Sequence, residues 1–382
     1  MAHAPPAPKS LLGRHRLLAP NASVRISPLC LGGMSLGDRW KAGLGDFNKE
    51  GAFELLDAFY DLGGNFIDTA NAYHGGQSEE WIGEWLQKTG RRDEMIISTK
   101  YTMGYKLGQP VQQSNFGGSG TKSMHIAIQD SLKRLQTTYV DLYFVHNWDY
   151  ATSIPELMQS LNTLVQQGRA LYLGISDTPA WIVTKANAYA RQHGLRPFSV
   201  YQGRFGAHAR DLEREVIPMC LDEGMAIHVW GVLANGFFQP PGSTKEDGRN
   251  TAFIKNGREA QVSETLDRVA KRLRVPLTSV ALAYALHKAP YMIPIVGGRK
   301  VTNLKTNIKA LGLELSSEDI AEIETGYAFD LGFPHNFINM EGKPPTGPQD
   351  ATILKQLGYF DYVQPPHPIK PHKDQLDAQW KP

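Results

Sequence analysis

Eight short apolar runs recur along the chain, each leading toward a stretch whose apolar residues return at helical spacing. The strand-like runs cover 29–32, 65–68, 95–100, 141–146, 170–176, 198–202, 226–231 and 292–297. The helical stretches between and after them cover 52–62, 79–87, 124–135, 154–167, 180–193, 212–223 and 303–311. Two further stretches, 262–274 and 277–288, separate the seventh run from the eighth. Inside the strand-like runs apolar and polar positions do not alternate, so both faces are expected to be buried. Repeated βα units of this kind predict a closed (β/α)8 TIM barrel, an α/β fold. An open doubly wound sheet would place a glycine-rich phosphate loop and a helix after the first strand. Leu31-Gly-Gly-Met-Ser-Leu-Gly37 only imitates such a loop and precedes no immediate helical pattern. The closed barrel is therefore the expected fold.

Punctuation supports these boundaries. Pro155 and Pro179 suit first-turn positions, with Ser153 and either Asp177 or Thr178 as caps. Gly63-Gly64, Gly168, Gly194 and Gly224 suit helix ends that turn into the next strand. Residues 1–325 are expected to form the barrel domain, with 1–25 as an N-terminal extension, and 326–382 a tail packed over one face. Three segments break the repeat: the Gly-, Gln- and Ser-rich 101–122, the 234–261 segment containing Pro240-Pro241-Gly242, and the tail. Long loops on such a scaffold shape ligand access. The Pro- and His-rich end, 365–382, is expected to be disordered.

Composition narrows the function. Among 382 residues, Lys and Arg number 40 against 38 Asp and Glu, and no long basic run occurs. That balance argues against nucleic acid or a membrane surface as a partner. No apolar run is long enough to span a bilayer, and the start lacks a secretory pattern. Two cysteines, Cys30 and Cys220, are too few for a disulfide framework or thiolate metal site. A cytoplasmic, metal-free protein is expected, with the choice between monomer and homo-oligomer left open.

Asp68, Lys100 and His146 close the second, third and fourth runs, and Tyr73 follows Asp68 within Asp68-Thr-Ala-Asn-Ala-Tyr73. Taken singly, Asp68 reads equally well as a cap or ion-pair partner, and Tyr73 as a packed aromatic. Lys100 reads as a solvated strand end and His146 as a core histidine. On adjacent parallel strands, however, the four would meet at one rim. A phenol has an ordinary pKa of about 10, which a neighbouring ammonium lowers while a carboxylate keeps that ammonium charged. A neutral imidazole can orient a substrate oxygen toward the phenol. Such a set suits carbonyl reduction, with Tyr73 protonating oxygen as hydride reaches carbon.

Asp68-Thr-Ala-Asn-Ala-Tyr73, Ser98-Thr-Lys100 and Val145-His146 match the tetrad signature of the aldo-keto reductases. Resemblance runs from about Leu29 through about Leu311. Four stretches resemble the fungal aryl-alcohol dehydrogenase and norsolorinic acid reductase-like branch: Phe66-Ile-Asp-Thr-Ala-Asn71, Leu171-Tyr-Leu-Gly-Ile-Ser-Asp-Thr-Pro-Ala-Trp181, Ile217-Pro-Met-Cys220 and Pro294-Ile-Val-Gly-Gly-Arg-Lys300. The resemblance implies NADP(H) held across the barrel mouth, with Gly33, Met34 and Asp68 beside it. Ser176, Asp177 and Gln202 would hold the carboxamide, Trp230 would stack on the nicotinamide, and Gly231, Val232, Leu233 and Ala234 would run beside the pyrophosphate. Gly297, Gly298, Arg299 and Lys300, with Asn303 and Asn307 on the next helix, would receive the adenosine phosphate. Trp40, Trp148 and Phe205 are the expected substrate walls, for an aromatic or polyketide-like aldehyde or ketone or the corresponding alcohol. Secondary metabolism follows from the resemblance alone.

Two other classes reuse this equipment. A non-redox lyase, cyclase or dehydratase could employ the same proton-transfer groups. A cofactor-binding regulatory subunit would keep the nucleotide site and make turnover incidental.

Overall fold

The computed structural model describes residues 6–240, 257–344 and 346–372. Pro241-Gly242 and the last part of the Pro- and His-rich end, 373–382, lie outside the described residues. Strands β1 (Arg16–Ala19) and β2 (Ala22–Ile26) form an antiparallel hairpin around the Pro20-Asn21 turn. Eight parallel strands follow: β3 (Cys30–Gly32), β4 (Phe66–Asp68), β5 (Ile96–Tyr101), β6 (Val140–Val145), β7 (Ala170–Ser176), β8 (Phe198–Arg204), β9 (Ala226–Trp230) and β10 (Met292–Val296). They close in sequence order, with β10 pairing both β9 and β3, so the expected barrel is present.

The short α1 (Lys41–Leu44) precedes α2 (Lys49–Asp61), and α3 (Gln77–Thr89), α4 (Thr121–Arg134), α5 (Ile154–Gln166), α6 (Ala180–Gln192) and α7 (Val216–Asp222) follow their strands in turn. A pair, α8 (Glu259–Leu273) and α9 (Leu277–Lys288), separates β9 from β10, and α10 (Val301–Lys309) completes the ring. Beyond it come α11 (Ser317–Glu324), α12 (His335–Ile338) and α13 (Thr352–Leu357).

Two apolar cores result. The larger lies between strands and helices; the smaller fills the barrel. Inside it Phe66, Phe144, Leu142, Val200 and Ile293 pack with Leu18, Ala19, Ala22 and Ile26 of the hairpin. The N-terminal extension therefore contributes to the barrel core. A Cβ at Gly174 would overlap the Phe144 ring, so this strand position is glycine to admit the phenyl group.

Ser153 caps α5, its side chain accepting the Glu156 N–H, with Pro155 in the first turn as expected. The expectation for α6 needs correction. Its N-cap is Pro179, without a side-chain bond from Asp177 or Thr178. Asp177 instead takes a left-handed φ of +44° at the end of β7. The tail begins firmly anchored: Arg214 donates to the Asp330 carbonyl at 2.6 Å, and Arg210 and Arg214 both lie over the Phe329 ring.

Candidate active site

Register brings the four proposed catalytic side chains together. Asp68 pairs with Ser98 across β4 and β5, and Lys100 with Phe144 across β5 and β6, so the three strand ends step around one rim. Lys100 Nζ donates to Asp68 Oδ2 at 2.5 Å and to the Thr69 carbonyl at 2.8 Å. It also lies 3.5 Å from the Tyr73 hydroxyl, at the limit of a hydrogen bond. The other carboxylate oxygen, Asp68 Oδ1, accepts from Ser98 Oγ at 2.7 Å and Gln202 Nε2 at 3.1 Å. Ser98 and Gln202 thus hold the carboxylate that holds the lysine. A Cβ on Gly33 would lie 2.9 Å from the Asp68 carbonyl, so glycine lets the end of β3 approach this cluster.

Lys100 and Asp68 are fully or almost fully buried, with side-chain exposures of 0% and 3%. Burial alone would lower the lysine's proton affinity; the Asp68 charge and Tyr73 outweigh it, and the net shift is upward. The ammonium is therefore firmly charged. The Tyr73 phenol does not behave as its neighbours alone suggest. Burial raises its proton affinity, Lys100 opposes this, Asp68 and Asp177 add to it, and the net shift is upward. The expected lowering of the phenol by Lys100 is real as a contribution but is outweighed by burial, so Tyr73 holds its proton.

His146 faces Tyr73 edge-on, ring centroids 5.9 Å apart. Its Nδ1 has no hydrogen-bond partner. Burial, then the Lys100 charge, push its pKa down to about 3, so the ring is neutral at physiological pH. Trp40, 40% exposed, lies 6.4 Å from the Tyr73 ring. Trp148 is half-buried beside Tyr150.

Across the mouth, Ser176 Oγ donates to Asp177 Oδ2 at 2.9 Å. Asp177 is exposed, yet the surrounding protein thins the solvent and pushes its carboxyl up to about 6, against the pull of Ser176, Lys100, Trp230 and Arg204. Trp230 ends β9, and Gly231 follows at φ +77°. Val232 and Ala234 have buried side chains, leaving mainly main-chain groups to offer a ligand, while Met34 and Leu233 are half-buried. Gly297, Gly298, Arg299 and Lys300 lead from β10 into α10. Arg299 Nη1 already donates to the Asp46 carbonyl at 2.9 Å, and Lys300 is exposed. Asn303 is exposed on α10, whereas Asn307 is buried.

Phe205 is a correction. It is 0% exposed and stacks on Tyr284 of α9, with ring planes 8° apart, so it packs the strand–helix layer and forms no wall of the mouth. The strand continues to Arg204, two residues beyond the end read at Gln202, so Phe205 lies directly after it and not further out in a loop. Sequence reading also missed Ser98 as a partner of Asp68. The hydroxyl two residues before Lys100 was the available signal, since residues i and i+2 share a strand face. Among the described residues no group of three or more His, Cys, Asp or Glu could hold a metal, and no helix is long and apolar enough to cross a membrane.

Known proteins resemble this chain over nearly its whole length. The profile of the Aldo/keto reductase family matches residues 28–327. An aryl-alcohol dehydrogenase of Pestalotiopsis microspora is 63% identical over 380 residues, covering 99% of both chains. Norsolorinic acid reductase B of Dothistroma septosporum is 49% identical, with 94% of each chain covered. The aryl-alcohol dehydrogenase [NADP(+)] of Phanerodontia chrysosporium is 44% identical, covering 96% of this chain and 98% of its own. With its closed barrel, buried Lys100–Asp68 pair and end-to-end similarity to these enzymes, the chain belongs to the aldo/keto reductase family and is an oxidoreductase.

Proposed function

We propose that the protein is an NADP(H)-dependent reductase of aromatic or polyketide-like aldehydes or ketones, working reversibly on the corresponding alcohol. The observation that carries this reading is the fully buried Lys100 ammonium, 2.5 Å from Asp68 and 3.5 Å from the Tyr73 hydroxyl, with His146 across the mouth. The residues present fit a dinucleotide. The exposed Asp177 carboxylate, with the buried Ser176 hydroxyl bonded to it, suits a carboxamide, the Trp230 face suits a planar ring, and the cationic Gly297–Lys300 turn before a helix suits a phosphate. NADPH, when bound, supplies the hydride.

The chain's own residues manage the proton. Tyr73 holds it at the hydroxyl and passes it to the carbonyl oxygen as negative charge develops there. The upward shift of the phenol keeps this donor loaded in the resting site, and the Lys100 ammonium steadies the phenolate left behind. Asp68, fixed by Ser98 and Gln202, keeps the ammonium charged and aimed. The neutral His146 ring can donate one hydrogen bond to the carbonyl oxygen and orient it toward Tyr73. The aromatic rim at Trp40 and Trp148 and the similarity to aryl-alcohol dehydrogenases and norsolorinic acid reductases support an aromatic substrate.

Loss of NADPH absorbance against a panel of aromatic and aliphatic aldehydes and ketones tests the reading, with NADH in parallel and alcohols in the reverse direction. Tyr73→Phe should bind NADPH as the wild type does and lose turnover by about a hundredfold or more, the contribution of a positioned proton donor. Near-full turnover in that variant would remove Tyr73 from the role.

A further inference from the structure

His74, the residue after Tyr73, takes no part in the proton transfer described above. It is nevertheless one of the most constrained side chains at the rim. It is 1% exposed and adopts a left-handed backbone conformation, φ 52° and ψ 31°. Its Nδ1 lies 3.0 Å from the backbone nitrogen of Trp40, and its Nε2 lies 3.1 Å from the Met34 carbonyl oxygen. A main-chain N–H only donates and a carbonyl only accepts, so Nδ1 is bare and Nε2 carries the proton. The ring stacks on the Trp40 indole, centroids 4.9 Å apart and planes 25° apart. That indole in turn presents an edge-to-face contact to Tyr73 at 6.4 Å. A Cβ at Gly37 would overlap the His74 ring, so glycine on the β3–α1 loop makes room for it.

Neighbouring side chains complete a clasp between two loops. Gln77 Oε1 accepts the N–H groups of Asp38 and Arg39 at 2.9 and 3.2 Å, and Gln77 Nε2 donates to Asp38 Oδ1 at 2.9 Å. Ser78 Oγ donates to the Gly33 carbonyl at 2.8 Å. The loop that carries the proposed proton donor thereby grips the loop that carries Trp40.

We infer that His74 is a positioning residue that sets Trp40 as the aromatic wall beside Tyr73 and so selects aromatic over aliphatic carbonyl substrates. This rests on the reading of Tyr73 as the reacting phenol. An indole held in place before substrate arrives offers a flat face with little ordering cost, whereas a freely swinging one must be ordered by the substrate. His74 suits the task because its two nitrogens take the loop's main chain and its ring face takes the indole.

The test compares kcat and KM for a benzaldehyde and a short aliphatic aldehyde, with NADPH, in wild type, His74→Asn, His74→Gly, Trp40→Ala and the His74→Asn/Trp40→Ala double variant. Asn tolerates a left-handed φ and supplies an acceptor for the Trp40 N–H but no ring to stack on. Gly keeps the backbone and loses both. His74→Gly should raise KM for the aromatic aldehyde about tenfold relative to the aliphatic one, the scale of a lost apolar contact, with a smaller rise in His74→Asn. In the Trp40→Ala background His74→Asn should add nothing, because its effect runs through the indole. An unchanged aromatic-to-aliphatic ratio in both His74 variants would overturn the inference, as would an equal effect with and without Trp40. Should His74→Gly fail to fold, the cycle with His74→Asn decides. Failure of the broader reading shows separately, as turnover retained in Tyr73→Phe.

Discussion

Replacing Asp68 by Asn should separate the stabilising role of the buried ion pair from its role in proton transfer. Asn keeps the shape and an oxygen to accept from Ser98 and Gln202, but it removes the charge 2.5 Å from Lys100. Lys100 then retains the Thr69 carbonyl and the Tyr73 hydroxyl as partners. Burial, which already opposes its charge, takes over, and the amine's proton affinity falls. Breaking a buried pair from one side costs about 3–5 kcal/mol. An unfolding entropy of about 2.1 cal/mol/K per residue gives about 0.8 kcal/mol/K for 382 residues. The melting temperature should therefore fall by about 4–6 °C, and carbonyl turnover by about a hundredfold or more. Adding Lys100→Met makes both members neutral and removes the stranded amine. That double variant should regain most of the lost melting temperature and none of the turnover. Thermal unfolding followed by circular dichroism, with NADPH absorbance on the same preparations, measures both. If Asp68→Asn melts within about a degree of wild type, or the double variant melts no higher than it, the ion-pair reasoning fails.

Two further outcomes follow from single side chains. An ionised Asp177 at the mouth should favour the positively charged oxidised nicotinamide, so Asp177→Asn should shift the NADP+ to NADPH affinity ratio about fivefold toward NADPH, the scale of one charge contact in water. Because the Asp177 carboxyl sits near 6, this preference should be present above pH 6 in wild type and fade below it, as fluorescence titration would reveal; a ratio indifferent to the substitution refutes it. His228, wholly buried in β9 with neither ring nitrogen hydrogen-bonded, is pushed down to about 3 by burial. As pH falls from 6.5 toward 3 the unfolded chain takes up the proton first, so this group's stabilising effect is full above 6.5 and is lost on acidification. His228→Leu should make the urea midpoint fall less between pH 7 and 4.5 than in wild type, and an unaltered pH slope would contradict the assignment.

Particular elements show how far reading the chain could go. β7 and α9 have the bounds their apolar patterns indicate, because a largely buried strand and a mostly apolar helix each leave a sharp edge in composition. The β1–β2 hairpin carried a weak signal: Leu18, Ala19, Ala22 and Ile26 are buried, but over such short strands that no period emerges. Pro20-Asn21 between two apolar-rich pieces was the clue available. In the site, Asp68, Lys100 and His146 were legible because each ends an apolar run, and parallel strands in a barrel bring such ends together. Phe205 was misread because β8 runs two residues past Gln202, and the contact with Tyr284 of α9 that decides which layer its ring enters is non-local.

Residue order alone determined that eight buried strands alternate with amphipathic helices, and that an acid, an amine and an imidazole stand at consecutive strand ends. Those are local properties of pattern and spacing, and they survive without coordinates. Tertiary structure alone decided the direction of the Tyr73 shift, which is a contest between depth and charge. It also decided the grip of His74 on a loop some forty positions earlier in the chain, from Met34 to Trp40. Both depend on how closely β3 and β4 approach once the barrel closes, and distance in space is the quantity that a linear order of residues does not carry.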